Sequence, residues 1–160
     1  MALDDAPGEE ILLPDQAATE RLAHLLAAGA RRGDVLALEG DLGAGKTTLA
    51  RAFLQALGVD EEVPSPTFSL VQIYETGTAT TGPLEVWHFD LYRLTSGDEV
   101  YELGFEQALD EGLCLIEWPE RLGPLTPANR LHLHFSHAGA GRLVRLVRHG
   151  TWAGRNPGAC

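Results

Sequence analysis

The chain has 160 residues, 44% of them hydrophobic, with 12 basic against 23 acidic side chains and a formal net charge of −11. This size and composition fit one globular domain spanning residues 1–160, and the acidic balance excludes a broad autonomous nucleic-acid surface, which needs clustered cations. No apolar run approaches the roughly 20 residues of a membrane span, the start is acidic where a secretory leader is basic, and Cys114 and Cys160 form no disulfide framework, so a cytoplasmic location is expected.

Residues 1–8 read as a flexible tail, followed by an edge strand at Glu10–Leu13. Pro14-Asp15 starts a helix whose apolar face carries Leu22, Leu25 and Leu26 and which stops near Gly29 or Gly33. Val35-Leu36-Ala37-Leu38 is a short continuous apolar run, as in a buried strand.

Gly40-Asp41-Leu42-Gly43-Ala44-Gly45-Lys46-Thr47-Thr48 follows at once and satisfies G-x-x-x-x-G-K-[ST]. Leu49, Phe53, Leu54 and Leu57 then recur at helical spacing up to Gly58. Strand, glycine loop and helix in this order suit a nucleoside triphosphate. Glycines let backbone N–H groups curl around the β-phosphate, and the helix N-terminus adds its positive dipole end. Lys46 is placed to neutralise the β- and γ-phosphates, and the Thr47 hydroxyl to hold Mg²⁺. Lys46 is also the sole lysine; the other eleven basic residues are arginines.

Two prolines flank Ser65 in Val63-Pro64-Ser65-Pro66-Thr67-Phe68 and hold that segment extended. Thr67 there reads either as a switch-loop hydroxyl or as a simple strand-entry turn. Phe68–Glu75 and Leu84–Leu91 form a hairpin around the small-residue turn 76–82. Ser96 and Glu99 fit a capping box opening a helix, whole or broken, to about Leu109. Leu113-Cys114-Leu115-Ile116 reads as a central parallel strand, and three prolines between 119 and 127 make the next stretch irregular. Leu131, Leu133 and Phe135 alternate with His132, His134 and Ser136, and a glycine turn leads to a partner strand over 142–149. His132 and His134 read as solvated. Residues 151–160 form a second tail; the arginines of the C-terminal region read as a solvated strand face plus this tail.

Hydrolysis also needs a carboxylate for Mg²⁺ and a group to position water. Glu117 and Asp90 each stand at a strand end and compete for these roles. Trp118, directly after Glu117, packs either beside the nucleotide or within the protein.

Four motifs now stand in order: the glycine loop, Ser65-Pro66-Thr67-Phe68, His88-Phe89-Asp90-Leu91-Tyr92-Arg93-Leu94, and Leu115-Ile116-Glu117-Trp118-Pro119-Glu120. Together they resemble the TsaE family (older name YjeE), small bacterial ATPases of tRNA threonylcarbamoyladenosine biosynthesis, over about Leu13 to Arg142. The resemblance implies an α/β, P-loop NTPase-like fold: a mainly parallel sheet with antiparallel hairpin additions and helices on both faces. It implies that Leu42–Thr47 wrap the phosphates, with Gly43, Ala44, Gly45, Lys46 and Thr48 in the same ATP site. Thr47 and Glu117 would bind Mg²⁺, Thr67 would belong to a switch-like loop, and Asp90 would be an acid needed for hydrolysis. Gln16 and the Gly141-Arg142 turn fall where the family closes around the nucleotide. The implied partners are TsaD and TsaB, whose complex would be reset by ATP hydrolysis, with tRNA met only through that complex.

Three other classes share the glycine loop. A guanine-specific switch needs N-K-x-D, which a chain whose one lysine is Lys46 does not contain. A small P-loop kinase needs an acceptor pocket and a lid with arginines, for which Arg121 and Arg130 are candidates. A nucleotide-gated binding module uses the same loop without turnover.

Overall fold

The computed structural model describes residues 8–41, 43–59, 63, 69–76 and 83–155. Among these residues seven strands form one sheet: β1 (Gly8–Leu13), β2 (Val35–Glu39), β3 (Val71–Thr76), β4 (Leu84–Asp90), β5 (Leu113–Glu117), β6 (Arg130–Ala138) and β7 (Gly141–His149). Their order is β1-β7-β6-β2-β5-β4-β3. The four inner strands β6, β2, β5 and β4 are mutually parallel, while β3 on one side and β7 and β1 on the other are added antiparallel. The fold is thus a mixed α/β sheet with a parallel centre and antiparallel borders. The expected β3–β4 and β6–β7 hairpins are both present, and β1 is the expected edge strand.

Side-chain alternation splits the core in two. On β2 and β5, Leu36, Leu38, Leu113 and Leu115 pack toward α1 (Gln16–Ala28) and α2 (Lys46–Ala56). Their neighbours Val35, Cys114 and Ile116 pack on the other face against Phe105 and Ala108 of α3 (Phe105–Glu111). Strands buried on both faces need continuous apolar sequence, which is why Leu113–Ile116 has no polar member.

Asp15 caps α1 by accepting from the Ala18 N–H at 2.9 Å. The buried stripe of α1 is Leu22, Ala23, Leu26 and Ala27; Leu25, expected on that face, is 47% exposed. Periodicity alone allowed either neighbour of the stripe, and the small alanines let α1 lie close to α2. The helix expected after Ser96 is broken. A 3-10 segment over Gly97–Leu103 stops at Gly104, whose φ of 85° is left-handed, and α3 restarts from there. A second 3-10 segment, Pro119–Leu125, crosses beside β2, and a third, Gly150–Trp152, ends the described chain. There Arg155 binds both Asp34 carboxylate oxygens, at 2.7 and 2.8 Å, and lies over the Trp152 ring.

Candidate functional site

The carboxyl ends of β5 and β4 and the loop leaving β2 open onto one cavity of about 390 Å³, beside the N-terminus of α2. Crevices outside the carboxyl ends of parallel strands are where open α/β sheets take ligands. The loop leaving β2 is shaped by glycine. Gly40, Gly43 and Gly45 have φ of 156°, 76° and 109°. At Gly40 a side chain would also meet the Phe135 carbonyl at 2.8 Å, so backbone and space both demand glycine. Gly45 is the N-cap of α2 and offers no side chain to its first amides. An eleven-residue helix therefore begins at the cavity with no side-chain cap, the arrangement that receives anions.

Lys46 is 4% exposed. Its ammonium donates to the Gly40 carbonyl and sits 3.4 Å from the centroid of the Trp118 ring. Burial holds its pKa below the ordinary lysine value, opposed by the charges of Glu117, Glu120, Asp90 and Asp41. A carbonyl and a ring face are weaker partners for a desolvated cation than a phosphate oxygen. Trp118 reaches this position through a left-handed backbone, φ 60° and ψ 49°, between Glu117 and Pro119. A bulky residue there carries strain of roughly 1–3 kcal/mol. Tyr92 packs on the indole at 4.8 Å between centroids, and the Arg121 guanidinium lies over Tyr92.

Glu117 ends β5 at 2% exposure, in register with Leu38 of β2 and Asp90 of β4. The Thr47 hydroxyl donates to its Oε1 at 2.9 Å, and His88 Nε2 lies 2.7 Å from its Oε2. Asp90, 5% exposed, accepts the Tyr92 N–H at 3.1 Å. A hydroxyl and two buried carboxylates at one end of the sheet are hard oxygen donors, the set a Mg²⁺ ion requires. The residues present fit that ion, and Thr47 and Glu117, already hydrogen-bonded to each other, are the pair that would hold it.

The β6–β7 turn closes one side. Arg142 donates to the Gly43 carbonyl at 3.0 Å, so the hairpin tip holds the glycine loop. Gly141 packs so tightly on the β1–α1 junction that a Cβ would meet the Leu13 carbonyl at 2.6 Å. Of the residues expected in the site, Gly43, Gly45, Lys46, Thr47, Thr48, Asp90 and Glu117 line the cavity. So do Gln16, Trp118, Gly141 and Arg142. Ala44 does not: its side chain is 1% exposed and turned into the core. Leu42 and Thr67 lie outside the described residues.

Two readings change. His132 is buried at 4% exposure and His134 is half-buried, so neither is a solvated strand residue. Alternation gave their common face correctly but not what covers it. Arg130, a candidate lid arginine, is itself 4% exposed and donates to His132 Nδ1 at 2.9 Å and to the Pro127 carbonyl. It is therefore no lid residue, which weakens the kinase reading. His132 Nε2 in turn meets Glu39 Oε1 at 2.8 Å, and His134 Nδ1 stands 3.8 Å from Glu39 Oε2. These three side chains are close enough to suggest a metal centre. The arginine argues otherwise. A donor at Nδ1 obliges His132 to keep its proton on Nε2, where a metal would have to bind, whereas metal-binding histidines donate from their second nitrogen. The group is a hydrogen-bond chain, Arg130 to His132 to Glu39.

His88 escaped the sequence reading. The signal was a polar residue of the same strand parity as Asp90, two positions earlier and flanked by Trp87 and Phe89.

The chain matches the family model of "Threonylcarbamoyl adenosine biosynthesis protein TsaE" over residues 13–144. It is 45% identical over 111 residues to the tRNA threonylcarbamoyladenosine biosynthesis protein TsaE of Rickettsia felis, covering 69% of this chain and 62% of that protein, less than two thirds of its length. Against the protein of the same name from Bacillus subtilis, identity is 41% over 122 residues, covering 76% of this chain and 73% of the relative. A crystal structure of Bacillus subtilis YdiB superposes with a TM-score of 0.71 at 32% identity, covering 91% of this chain and 88% of that one. With the family model spanning most of its length, the chain belongs to the TsaE family of threonylcarbamoyl adenosine biosynthesis proteins.

Proposed function

We propose that this protein binds Mg²⁺-ATP in the cavity at the strand ends and hydrolyses it to drive formation of N6-threonylcarbamoyladenosine in tRNA. In this reading it resets the TsaD–TsaB complex between turnovers and does not transfer the group itself. The relatives' shared name supports the pathway. One observation carries the chemistry: Lys46, Thr47, Asp90 and Glu117 converge on one cavity at the uncapped start of α2. A cytoplasmic setting accords with it, and no helix among the described residues is long and apolar enough to cross a membrane.

The residues divide the work. The glycine loop and first amides of α2 cradle the β- and γ-phosphates, and Lys46 exchanges its carbonyl and ring partners for phosphate oxygens. Trp118 then moves off the ammonium and lies against the nucleotide. Thr47 and Glu117 would hold Mg²⁺, which when bound would supply charge neutralisation for the departing phosphoryl group. Asp90, beside Glu117 in register, orients the attacking water. Arg142 fastens the hairpin over the loop, and Gln16 borders the opening.

Steady-state ATP hydrolysis tests the proposal, first with the protein alone and then with TsaD and TsaB. The expected result is low turnover that rises strongly with the pair, and its loss by about 10²–10³-fold or more in Lys46→Ala. High turnover indifferent to the pair overturns the resetting role. Unchanged turnover in Lys46→Ala overturns the site.

A further inference from the structure

His88 is fully buried, on β4, facing the same side of the sheet as Asp90 and Glu117. In register it pairs with Leu115, one step of the pleat below Glu117, so its ring reaches diagonally to the neighbouring strand end. Its Nε2 lies 2.7 Å from Glu117 Oε2, with exposures of 0% and 2% for the two side chains. A nitrogen so close to a carboxylate oxygen bears the proton, since two lone pairs at this separation repel. Nδ1 has no partner among the described residues. His88 is therefore committed to one hydrogen bond, which it gives to the carboxylate.

The other carboxylate oxygen is already held by Thr47. Glu117 is thus gripped from two elements, β4 and the start of α2, one oxygen each. A glutamate has three side-chain torsions. Buried with one anchor it would rotate about that anchor; with two, its plane is fixed and one edge stays turned to the cavity. Short hydrogen bonds of this kind to a ligating side chain orient it and commonly govern metal affinity by 10- to 100-fold.

We infer that His88 is a positioning residue for the magnesium site, pinning Glu117 Oε2 so that the carboxylate meets the ion without reorganising. The inference rests on the proposed Mg²⁺-ATP site and adds to it a residue outside the cavity lining. His88 touches neither nucleotide nor metal; it acts through Glu117. The rival account is that His88 merely fills space under α2.

The test is calorimetric binding of the non-hydrolysable analogue AMPPNP to the wild type, His88→Leu and His88→Gln, each in EDTA and across a Mg²⁺ titration. Leucine keeps the volume without a donor; glutamine keeps an N–H near the Nε2 position. The expected result is that His88→Leu raises the Mg²⁺ concentration for half-maximal effect by about 10- to 100-fold, leaves binding in EDTA within about twofold, and is largely rescued by His88→Gln. Should the leucine variant fail to fold by circular dichroism, His88→Met supplies a second donor-free side chain. Equal losses with and without Mg²⁺, or a glutamine variant no better than leucine, leave only the space-filling role and overturn the inference. Wild-type protein that binds the analogue identically in EDTA and Mg²⁺ overturns the magnesium site itself, and His88's role with it.

Discussion

Two glutamates end neighbouring parallel strands, and each is met by a histidine from the strand beside it. Glu117 of β5 meets His88 of β4 at 2.7 Å; Glu39 of β2 meets His132 of β6 at 2.8 Å. Their surroundings differ because of strand parity. Glu117 pairs with Leu38, so Glu39, one residue further along β2, points to the opposite face. Glu117 therefore lies under α2, buried and bonded to Thr47, with the cavity before it. Glu39 lies on the far face, 35% exposed, backed by Arg130 through His132. The same acid–histidine pair builds a candidate metal ligand in one place and a brace for the β2–β6 junction in the other. A strand-end carboxylate acquires chemistry from the face it occupies.

Exchanging each glutamate for alanine gives the largest contrast. Glu117→Ala is expected to lower Mg²⁺-dependent ATP hydrolysis by about 100-fold or more, with much smaller loss of nucleotide binding in EDTA. Glu39→Ala is expected to leave hydrolysis within about twofold and to cost about 1 kcal/mol of stability, as His132 loses its acceptor. Hydrolysis assays with urea melts check both; comparable catalytic losses would erase the distinction.

A smaller effect tests the far face alone. Burial, helped by the charges of Arg130, His132 and His134, brings His149 down to about 4 from an ordinary histidine value of 6.5. The unfolded chain then binds a proton there that the folded chain refuses. Stability from this residue is complete above pH 6.5, declines as pH falls toward 4, and changes no further below. His149→Phe should flatten that part of the stability–pH curve while leaving the pH dependence of AMPPNP binding unaltered. An unchanged curve would remove His149 from the far-face network.

The smallest effect concerns Cys114, between the two regions on β5. Burial pushes its thiol up to about 12. In a Cys160→Ser variant, a disulfide reagent at neutral pH should label no thiol until the protein is unfolded. Prompt labelling of the native protein would mean that β5 opens far more readily than a central strand should.

Much of this was readable beforehand, for definite reasons. The glycine loop announces itself because left-handed backbone and close contact with Phe135 leave few alternatives to glycine. β5 announces itself because a strand covered on both faces tolerates no polar residue before its end. Glu117 was legible as a strand-end acid for the same reason; Asp90 was legible only from its place at the end of β4, a strand that already carries Glu85 and His88. The pairings were not. His88 and Glu117 are 29 residues apart, and His132 and Glu39 are 93 apart, so their meeting depends on which strands are neighbours and in what register. Coverage was equally hidden: alternation along β6 puts His132 and His134 on one side but carries no information about the Pro119–Leu125 segment beside β2 or the buried Arg130. The break at Gly104 likewise needed Trp87, whose ring carbon would lie 3.0 Å from any Cβ placed there.

The enclosure of Lys46 has one more consequence. As the sole lysine of the sequence, it is the only side-chain primary amine the molecule offers to acylating reagents. That amine is shut between a carbonyl and an indole, with a basicity already diminished by its burial. The surface is consequently almost blank to amine chemistry: a molecule tethered, dyed or cross-linked through its amines would be held by its terminus, its working face left untouched.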